Sequence, residues 1–432
     1  MISDRFIPQM ALGDGRVSTN ERPLVTTPAL VGFFFSFRAV IVLIAARWLL
    51  LEPQAGAAAV LAIDFALLLI VAFQAIGKAE QPLHRIARIP SFRWVAAYLA
   101  FAGCSFAWSG AVSLPASFLY WCGVVADVAI VVLILRAGRA EVVAHSVIKG
   151  FIASTCVLAM IAWIMPAQAD LRLGDPEYLN TNQIGNLCAF AVLLAQYLMS
   201  RGDGKWGLTA GFLTVTLVRS LSKTTLVAFL VSEGLLFMRD KTMSRRTKML
   251  IIGAALAVGL TFWGLYESYY DVYTSAGNQA ETFTGRTAIW SYALTAAIAK
   301  PWFGNGFDAL WKVMPPFGAD LFEARHAENE LLQQFFAYGV AGVVLLIGIY
   351  GSLYRRIRRL ASGSMRTALV TILVFVLVRG LAEAEPFDLL LPLWAITLLS
   401  ALIEIELGSM NLALSPVGQD MSHLLSRRNA TT

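Results

Sequence analysis

The sequence is poor in charged residues, which make up only 14% of its 432 residues. A soluble domain of ordinary composition carries about 25% charged residues, whereas hydrophobic residues reach 58% in this chain. No polar linker divides it into separate soluble cores, and its 15 prolines and 33 glycines follow no period. These absences exclude a water-soluble globule, a disordered chain and a fibrous repeat. An all-α polytopic membrane protein remains.

Cysteine and histidine are also scarce, with four residues of each. The cysteines lie inside apolar stretches without CxxC spacing, so they are expected to behave as small hydrophobic side chains. Four histidines leave little else to hold zinc. We therefore expect no disulfide framework, no metal ion and no cofactor. The net charge of +6 is interpreted as a signal of membrane topology and not of nucleic-acid binding.

Long hydrophobic runs, by contrast, are abundant. A membrane-spanning helix needs about 20 mostly apolar residues, and runs of roughly this length recur through most of the chain. A search with this window predicts twelve transmembrane helices, at 28–49, 56–76, 93–111, 115–136, 143–165, 183–200, 206–219, 223–238, 248–268, 329–353, 366–385 and 387–405.

Lysine and arginine indicate the topology. With twelve spans and an inner N-terminus, 23 of the 34 basic residues fall in alternate, inward-facing segments, as the positive-inside rule requires. Fusing residues 207–238 into one helix would break this pattern, so two short helices meeting near Arg219–Lys223 are predicted. The resulting plan has an inner segment at 1–27, spans 1–9 within 28–268, an outer loop at 269–328, spans 10–12 within 329–405 and an inner tail at 406–432.

The predicted outer loop is rich in aromatic residues, with twelve between positions 267 and 325. Aromatic rings stack on sugars, but Trp and Tyr also form an anchoring belt at the membrane interface, and composition leaves both open. A short helix is predicted to start with Thr284 as its N-cap and to end before Pro301. We expect it to lie on the membrane surface, with an apolar face at Trp290, Leu294 and Ala297 or Ile298.

Three cations of the outer side are candidates for binding an anion. Arg219 and Lys223 flank the tip of a predicted helical hairpin, and in one helix they would share a face and repel unless an anion lay between them. Snorkelling to lipid headgroups is the alternative. Arg286 lies in the first turn of the loop helix, where a cation becomes favourable once an anionic ligand binds. A salt bridge with Glu281 or Asp271 is the simpler interpretation.

Other polar residues stand at the starts of predicted spans. His326 and Glu328 precede the tenth span, and either can act as a general base. Asn329 and Asn182, the latter within the polar run 180–183, can bind a hydroxyl-rich ligand or simply cap a helix. The charges inside predicted spans are expected to pair within the bundle: Arg38, Asp64, Asp127, Lys149 and Glu233, and Arg379 with Glu383.

Five segments stand out as motifs when taken together: TGRTAIW at 284–290, KPWFGNGF at 300–307, the segment 326–342, SKT at 222–224 and the polar run 180–185. Together they resemble the O-antigen ligase superfamily, which contains bacterial O-antigen ligases, exopolysaccharide polymerases and protein O-oligosaccharyltransferases. Twelve spans with one large periplasmic loop also match the architecture of that superfamily.

One departure from the family pattern concerns the general base. The family commonly has His directly before Asn, followed by Gly-x-x-Gly. This chain keeps the spacing of Asn329, Gly339 and Gly342 but has Glu328 where that His is expected. His326, two positions earlier, matches the first His of a frequent His-x-His-Asn variant. The resemblance therefore leaves open which of Glu328 and His326 is the base.

The resemblance implies a metal-independent, inverting glycosyltransferase of the bacterial inner membrane that works at the periplasmic face. Its donor would be a saccharide on undecaprenyl pyrophosphate and its acceptor another saccharide. Arg286, Lys223 and Arg219 would stabilise the leaving pyrophosphate, with Asn182 and Asn329 as further substrate-binding residues. Membrane lipids and a polysaccharide chain-length regulator are its other implied partners.

Three functions remain open on the sequence. The lysine of the SKT motif favours an exopolysaccharide polymerase within the superfamily. Transfer of finished polysaccharide to lipid A-core, as in an O-antigen ligase, is the alternative reaction. A lipid-linked saccharide transporter is the alternative of another class, but such transporters often show repeated halves around a midplane site. No repeated halves are visible here, and the charged groups gather at the outer surface.

Overall fold

A computed structural model describes residues 26–49, 52–77, 86–168, 171–239, 283–316 and 323–413, with scattered residues between 245 and 268. These residues are helical or irregular and form no strand beyond one isolated bridge, which agrees with the all-α prediction. The helices are α1 (Thr26–Leu43), α2 (Pro53–Gly77), α3 (Pro90–Cys104), α4 (Leu114–Ala137), α5 (Ala140–Ile164), α6 (Thr181–Ser200), α7 (Trp206–Ser220), α8 (Lys223–Arg239), α9 (Phe283–Ala299), α10 (Leu310–Val313), α11 (Glu330–Ile357), α12 (Ser364–Arg379) and α13 (Leu393–Ala413).

Six of the described helices are long and apolar enough to cross a membrane, so the chain is a multi-pass membrane protein. One of the helices α1–α13 overlaps each predicted span other than 248–268. About half of the residues in 248–268 are described, and these are helical apart from a turn at Phe262. The total of twelve spans and the side of the outer loop stay predictions. The six helices are Thr26–Trp48, Gln54–Gly77, Leu114–Ala137, Ala140–Ile164, Thr181–Ser200 and Glu330–Ile357.

Small residues let α1 and α5 pack closely. A Cβ atom added to Gly32 would lie 1.9 Å from the Val147 carbonyl oxygen, and one added to Gly150 would lie 2.0 Å from the Ala29 carbonyl oxygen. Neither position can carry a larger side chain unless the opposite backbone moves. In lipid, helices gain little from hydrophobic burial, so close contact through small residues is a common way to hold them together.

Charged side chains inside the bundle have polar partners, as predicted. Arg38 donates to both carboxylate oxygens of Asp127 at 2.8 and 2.6 Å, and the buried Asp64 faces this pair. Leaving water costs less free energy for a paired charge than for an isolated one. Two further contacts join the remaining charges, Lys149 to Asp203 at 3.3 Å and Glu233 to the Gln196 amide at 2.8 Å.

The break between α7 and α8 occurs where the sequence predicts it, but the two helices do not form the predicted hairpin. Leu221 has a left-handed backbone with φ of 60°, and this ends α7 after Ser220. Packing then takes the helices apart, because α7 lies mainly against α6 and α8 mainly against α12. Arg219 and Lys223 consequently belong to different helices, as the prediction of two short helices requires, and they share no helical face.

A second break lies inside α11, at Gly339. This residue has φ of 63° and ψ of −154°, a conformation that is accessible essentially to glycine alone. The loop after α9 satisfies the backbone groups that the break leaves unpaired. The Asn305 amide donates to the Phe336 carbonyl at 2.9 Å, and the Val340 amide donates to the Pro301 carbonyl at 2.7 Å. Together, these contacts tie α9 to the first half of α11.

The segment between α12 and α13 corrects two predicted boundaries. The eleventh predicted span is too long, since α12 ends at Arg379, and the twelfth begins too early, since α13 starts at Leu393. The freed backbone bonds to the start of α11 instead of continuing a helix. The Glu330 amide donates to the Gly380 carbonyl, and the Asn329 side chain donates to the Leu381 carbonyl, both at 2.9 Å. The segment 380–392 therefore lies beside the start of α11.

Candidate active site

Helix α9 presents Arg286 toward the rest of the protein. The residues of α9 that pack inward are Ile289, Ala293 and Ala297, each 2% exposed or less. They follow Arg286 at helical spacing, so the four side chains share one face.

The inward-packing face therefore includes only part of the predicted apolar face of this helix. Leu294 and Ile298 are exposed, because the inward face is chosen by contacts with α11 rather than by side-chain size. Ala297 lies on the inward face as predicted, and Trp290 is partly buried. The helix also begins at Phe283, which puts Thr284 inside its first turn and not at the N-cap.

The segment before α11 is held in a strained shape. Glu328 has a positive φ of 51°, which is uncommon for a residue with a side chain. Its carbonyl accepts a hydrogen bond from Trp290 Nε1 at 3.3 Å, and its amide donates to His326 Nδ1 at 3.4 Å. Asn329 caps α11 by accepting from the Leu332 amide at 2.9 Å. The Glu328 carboxylate is thus positioned by its neighbours on both sides.

Arg286, Glu328 and Glu383 form the centre of the candidate site, called the arginine–glutamate cluster below. Arg286 Nε lies 3.3 Å from Glu328 Oε2, and Arg286 Nη2 lies 3.4 Å from Glu383 Oε1. Glu383 is almost fully buried, whereas the other two side chains are about one-fifth exposed. The alternative partners expected for Arg286, Glu281 and Asp271, lie outside the described residues. One guanidinium therefore bridges two carboxylates.

Two further helices contribute polar groups to the cluster through Glu383. The Asn182 amide and the Thr224 hydroxyl donate to Glu383 Oε1 at 3.1 and 3.0 Å. The side-chain oxygen Oδ1 of Asn182 in turn accepts from the Ser222 hydroxyl at 2.9 Å. A Cβ atom on Gly185 would lie 2.8 Å from Ser222 Cβ, so this glycine allows the contact. The polar run of α6 and the SKT motif therefore meet at one carboxylate.

Burial and charge change the proton affinities of the two candidate bases. Burial and the neighbouring Glu383 carboxylate raise the pKa of Glu328 to about 7, against the opposing effect of Arg286. Burial also lowers the pKa of His326, and acceptance of an amide hydrogen bond by its Nδ1 favours the neutral ring. Near neutral pH, Glu328 is the group of the two that is balanced between its charged and uncharged forms.

The other predicted cations have different positions. Lys223 is exposed at the first residue of α8, directly before the Thr224 hydroxyl that binds Glu383. Arg219 instead donates to the Leu171 carbonyl at 2.7 Å, which fixes it to the loop before α6. Of the predicted anion-binding residues, only Arg286 thus lies in the cluster. Lys223 directly precedes Thr224, whose hydroxyl binds Glu383 of the cluster. Arg219 has a backbone partner elsewhere.

A groove of about 620 Å³ opens between α9 and α11. Its lining includes Thr287 and Asn329, which directly follow Arg286 and Glu328 in sequence, but neither Arg286 nor Glu328 lines it. The remainder is mainly apolar and partly open to the surroundings. Such a groove suits a hydrocarbon chain. The lining residues are Thr287, Trp290, Ser291, Leu294, Asn329, Leu331, Leu332, Phe335 and Val343.

The role of Glu383 at the centre of the cluster was not anticipated from the sequence, which assigned it only to a local pair with Arg379. That contact exists at 4.0 Å, but three shorter hydrogen bonds join Glu383 to other helices. Topology offered a signal, because the predicted plan places the end of the eleventh span on the same side as Glu328. In the described residues, no group of three or more His, Cys, Asp and Glu side chains is arranged to hold a metal ion.

Residues 208–347 match the sequence model of the family described as O-Antigen ligase. The chain is also 25% identical to the exopolysaccharide production protein ExoQ of Rhizobium meliloti strain 1021, over 63% of this chain and 67% of the relative. The two matches confirm the resemblance to the O-antigen ligase superfamily. The chain is thus similar to the O-antigen ligase family over about a third of its length and to an exopolysaccharide production protein over about two thirds of it.

The O-antigen ligase match includes Arg286, His326, Glu328 and the cations Arg219 and Lys223, since its limits run from α7 to the middle of α11. Asn182 and Glu383 lie outside it. The cluster therefore joins the matched segment to α6 and to the loop after α12. No solitary motif defines this site, because its groups come from three separate parts of the chain.

Proposed function

We propose that the protein is a membrane glycosyltransferase that polymerises exopolysaccharide repeat units from undecaprenyl-pyrophosphate-linked donors at the periplasmic face of the bacterial inner membrane. The observation that carries this proposal is Arg286, a cation that bridges Glu328 and Glu383 and lies on the helix whose neighbouring face lines an apolar groove. A pyrophosphate would be attracted to the cation. The hydrocarbon chain of a lipid donor would lie in the groove.

The proposed reaction is a single in-line displacement. The acceptor hydroxyl oxygen forms a bond to the anomeric carbon of the donor while the bond from that carbon to the pyrophosphate oxygen breaks. The hydroxyl proton passes to Glu328. Arg286 and Lys223 stabilise the negative charge that develops on the leaving pyrophosphate, so the chain's own cations, and not a metal ion, are proposed to bear this charge. One displacement inverts the anomeric configuration.

Two observations bear on the choice between polymerase and ligase. The printed name of the relative from Rhizobium meliloti refers to exopolysaccharide production, which favours the polymerase. The matched family is described as O-Antigen ligase, so transfer of polysaccharide to lipid A-core is the second candidate. Both reactions use the same donor chemistry. They differ in the acceptor, which is a lipid-linked saccharide in the first case and a core lipid in the second.

The polymerase proposal is tested with purified protein in lipid nanodiscs and an undecaprenyl-pyrophosphate-linked repeat unit. A ladder of elongated lipid-linked products is the expected result, and a deletion strain should accumulate the single lipid-linked unit. Elongation only when lipid A-core is supplied would favour the ligase. Movement of the saccharide across a vesicle membrane without a new glycosidic bond would support the transporter and overturn the proposal.

Substitution of the cations tests the anion site in the same assay. Arg286→Ala and Lys223→Ala should abolish product while protein levels stay normal. Lys223→Arg should retain some activity, because the charge persists although its geometry changes. Lys300→Ala removes an exposed cation at the end of α9 and serves as the control, with activity near wild type. Normal polymer from both Arg286→Ala and Lys223→Ala would show that these charges do not bind the donor.

A further inference from the structure

We propose that Glu383 is a positioning residue, which holds the Arg286 guanidinium between its own carboxylate and that of Glu328 and joins it to the polar groups of α6 and α8. This inference rests on the proposed function in one respect, since it concerns the catalytic geometry of that site. Glu383 itself is not placed to react. Its part is to fix where the cation lies and what charge surrounds Glu328.

The contacts of Glu383 come from four helices. Its Oε1 atom accepts from Asn182 of α6 at 3.1 Å, from Thr224 of α8 at 3.0 Å and from Arg286 of α9 at 3.4 Å. Its Oε2 atom faces Arg379 of α12 at 4.0 Å. A carboxylate is an acceptor-only group with room for about four hydrogen bonds. Three of these contacts are hydrogen bonds, all to Oε1, and burial of the carboxylate against two guanidinium groups leaves Glu383 poorly suited to accept a proton from substrate.

Burial distinguishes Glu383 from an ordinary surface ion pair. Its side chain is 5% exposed, and the Arg379 side chain is 3% exposed. Surface pairs contribute little because water screens them, whereas removing one member of a buried pair leaves the other charge uncompensated. The loss of Glu383 would therefore release Arg286 from one of its two carboxylates. The guanidinium would then be free to shift entirely toward Glu328.

The charge of Glu383 also acts on Glu328 across the shared guanidinium. The groups that face Glu328 are Arg286 from α9, Arg379 from α12, Glu383 and Glu385 from the following loop, and His326 from its own segment. Glu383 opposes ionisation of Glu328, and the two arginines favour it. Neutralising Glu383 should consequently lower the pKa of Glu328, both by removing repulsion and by releasing Arg286 to it.

The test needs a signal from Glu328 that does not depend on substrate. Infrared spectra of purified protein in nanodiscs show the C=O stretch of protonated carboxyl groups, and the band absent from Glu328→Gln is assigned to Glu328. In the wild-type protein this band should disappear as the pH is raised, with a midpoint near pH 7, as the pKa of about 7 requires. In Glu383→Gln the midpoint should fall by about one pH unit.

A matched control is Glu404→Gln, which removes a carboxylate paired with Arg356 between α13 and α11. This variant should leave the Glu328 midpoint unchanged, so a shift specific to Glu383→Gln reflects the cluster and not a general loss of stability. An unchanged midpoint in a folded Glu383→Gln protein would overturn the inference. If that variant fails to fold, Glu383→Asp provides the test, because it keeps the charge but withdraws the carboxylate from its partners. Its Glu328 midpoint should also move, and an unchanged midpoint would overturn the inference.

Kinetics separate this inference from the proposed function. With the lipid-linked donor, Glu383→Gln should lower kcat by roughly 10²-fold, since small displacements of catalytic groups have effects of that size. The acidic limb of its pH profile should move to lower pH. A shift of the infrared midpoint in a protein without transferase activity would reject the proposed function and retain the positioning role. Wild-type kcat and pH profile in active Glu383→Gln would reject the positioning role alone.

Discussion

Glu328 and His326 lie close together in the sequence, but their surroundings shift their pKa values in opposite directions. The His326 ring accepts an amide hydrogen bond, and its pKa is lowered by burial. The Glu328 carboxylate meets a guanidinium on one side, and its pKa is raised to about 7. The sequence left the choice of base open, because either residue type can accept a proton near neutral pH in suitable surroundings. The structure favours Glu328 for the role.

The identity of the base is the first prediction at this scale. Glu328→Gln should lower activity by about 10²–10⁴-fold, the usual contribution of a general base. Glu328→His should be partly active, and His326→Ala should only weaken the enzyme. Wild-type activity should fall as the pH drops through about 7, because Glu328 must be unprotonated to accept the hydroxyl proton. Initial rates of polymer formation across a pH series provide the measurement.

Two outcomes would contradict this assignment. An inactive His326→Ala enzyme beside a nearly wild-type Glu328→Gln enzyme would transfer the role to His326. Full activity in both would mean that neither side chain is the base and that the cationic groups alone drive the displacement.

At the scale of elements, the broken helix α11 and the loop after α9 behave as one unit. A Cβ atom on Gly339 would lie 2.4 Å from the Trp302 carbonyl carbon, and one on Gly304 would lie 2.5 Å from backbone atoms of Ala337. The close approach lets backbone groups of the two segments bond to each other. The arrangement sets the distance between α9, which carries Arg286, and the start of α11.

Gly339→Ala should therefore destabilise the protein. The strained backbone alone costs about 1–3 kcal/mol in a residue with a Cβ, and the contact with the Trp302 backbone adds to it. Gly351→Ala, in the same helix with open space around the glycine, should have little effect or stabilise the helix slightly. Thermal unfolding of the purified variants, followed by loss of the monodisperse peak, provides the comparison. Equal midpoints for the two variants would show that the break at Gly339 is not required.

The groove between α9 and α11 leads to a prediction about the donor lipid. Leu331→Trp places a bulky ring at an exposed apolar position of the groove, so it should raise KM for a long-chain donor several-fold. A donor with a short prenyl chain should be affected less, since it fills less of the groove. Ile347→Trp, at another exposed position of α11, is the control and should leave KM unchanged. If Leu331→Trp changed KM equally for short-chain and long-chain donors, the hydrocarbon chain of the donor would lie outside this groove.

At the scale of the whole molecule, the remaining prediction is the topology. The plan places the loop helix outside and the connection between α11 and α12 inside. In a background without the native cysteines, Lys300→Cys should react with a membrane-impermeant maleimide in intact spheroplasts. Ser362→Cys should react only after permeabilisation. Both positions are exposed, so access to reagent is limited by the membrane alone. Labelling of Lys300→Cys only from the inner side would overturn the topology.

Hydropathy and charge are sufficient to predict much of this architecture from the sequence. The 14% charged content fixes the class of protein, since long apolar runs can be satisfied only by helices in a bilayer. The break near Leu221 could also be predicted, because the basic residues on either side require the chain to reverse. The end of α12 was not predicted. The predicted span runs on to residue 385, whereas the backbone after Arg379 bonds to the start of α11.

The sequence by itself determined the membrane class, the approximate helices and the candidate residues Arg286, His326 and Glu328, because these depend on composition and on spacing within short segments. Only the tertiary structure decided that Arg286 meets Glu383, 97 residues away in the chain, and that α9 turns Ile289 inward in place of Leu294. Helical periodicity can specify a face but not its neighbour. The neighbour is chosen by packing and by pairing of buried charges, which act between distant parts of the chain.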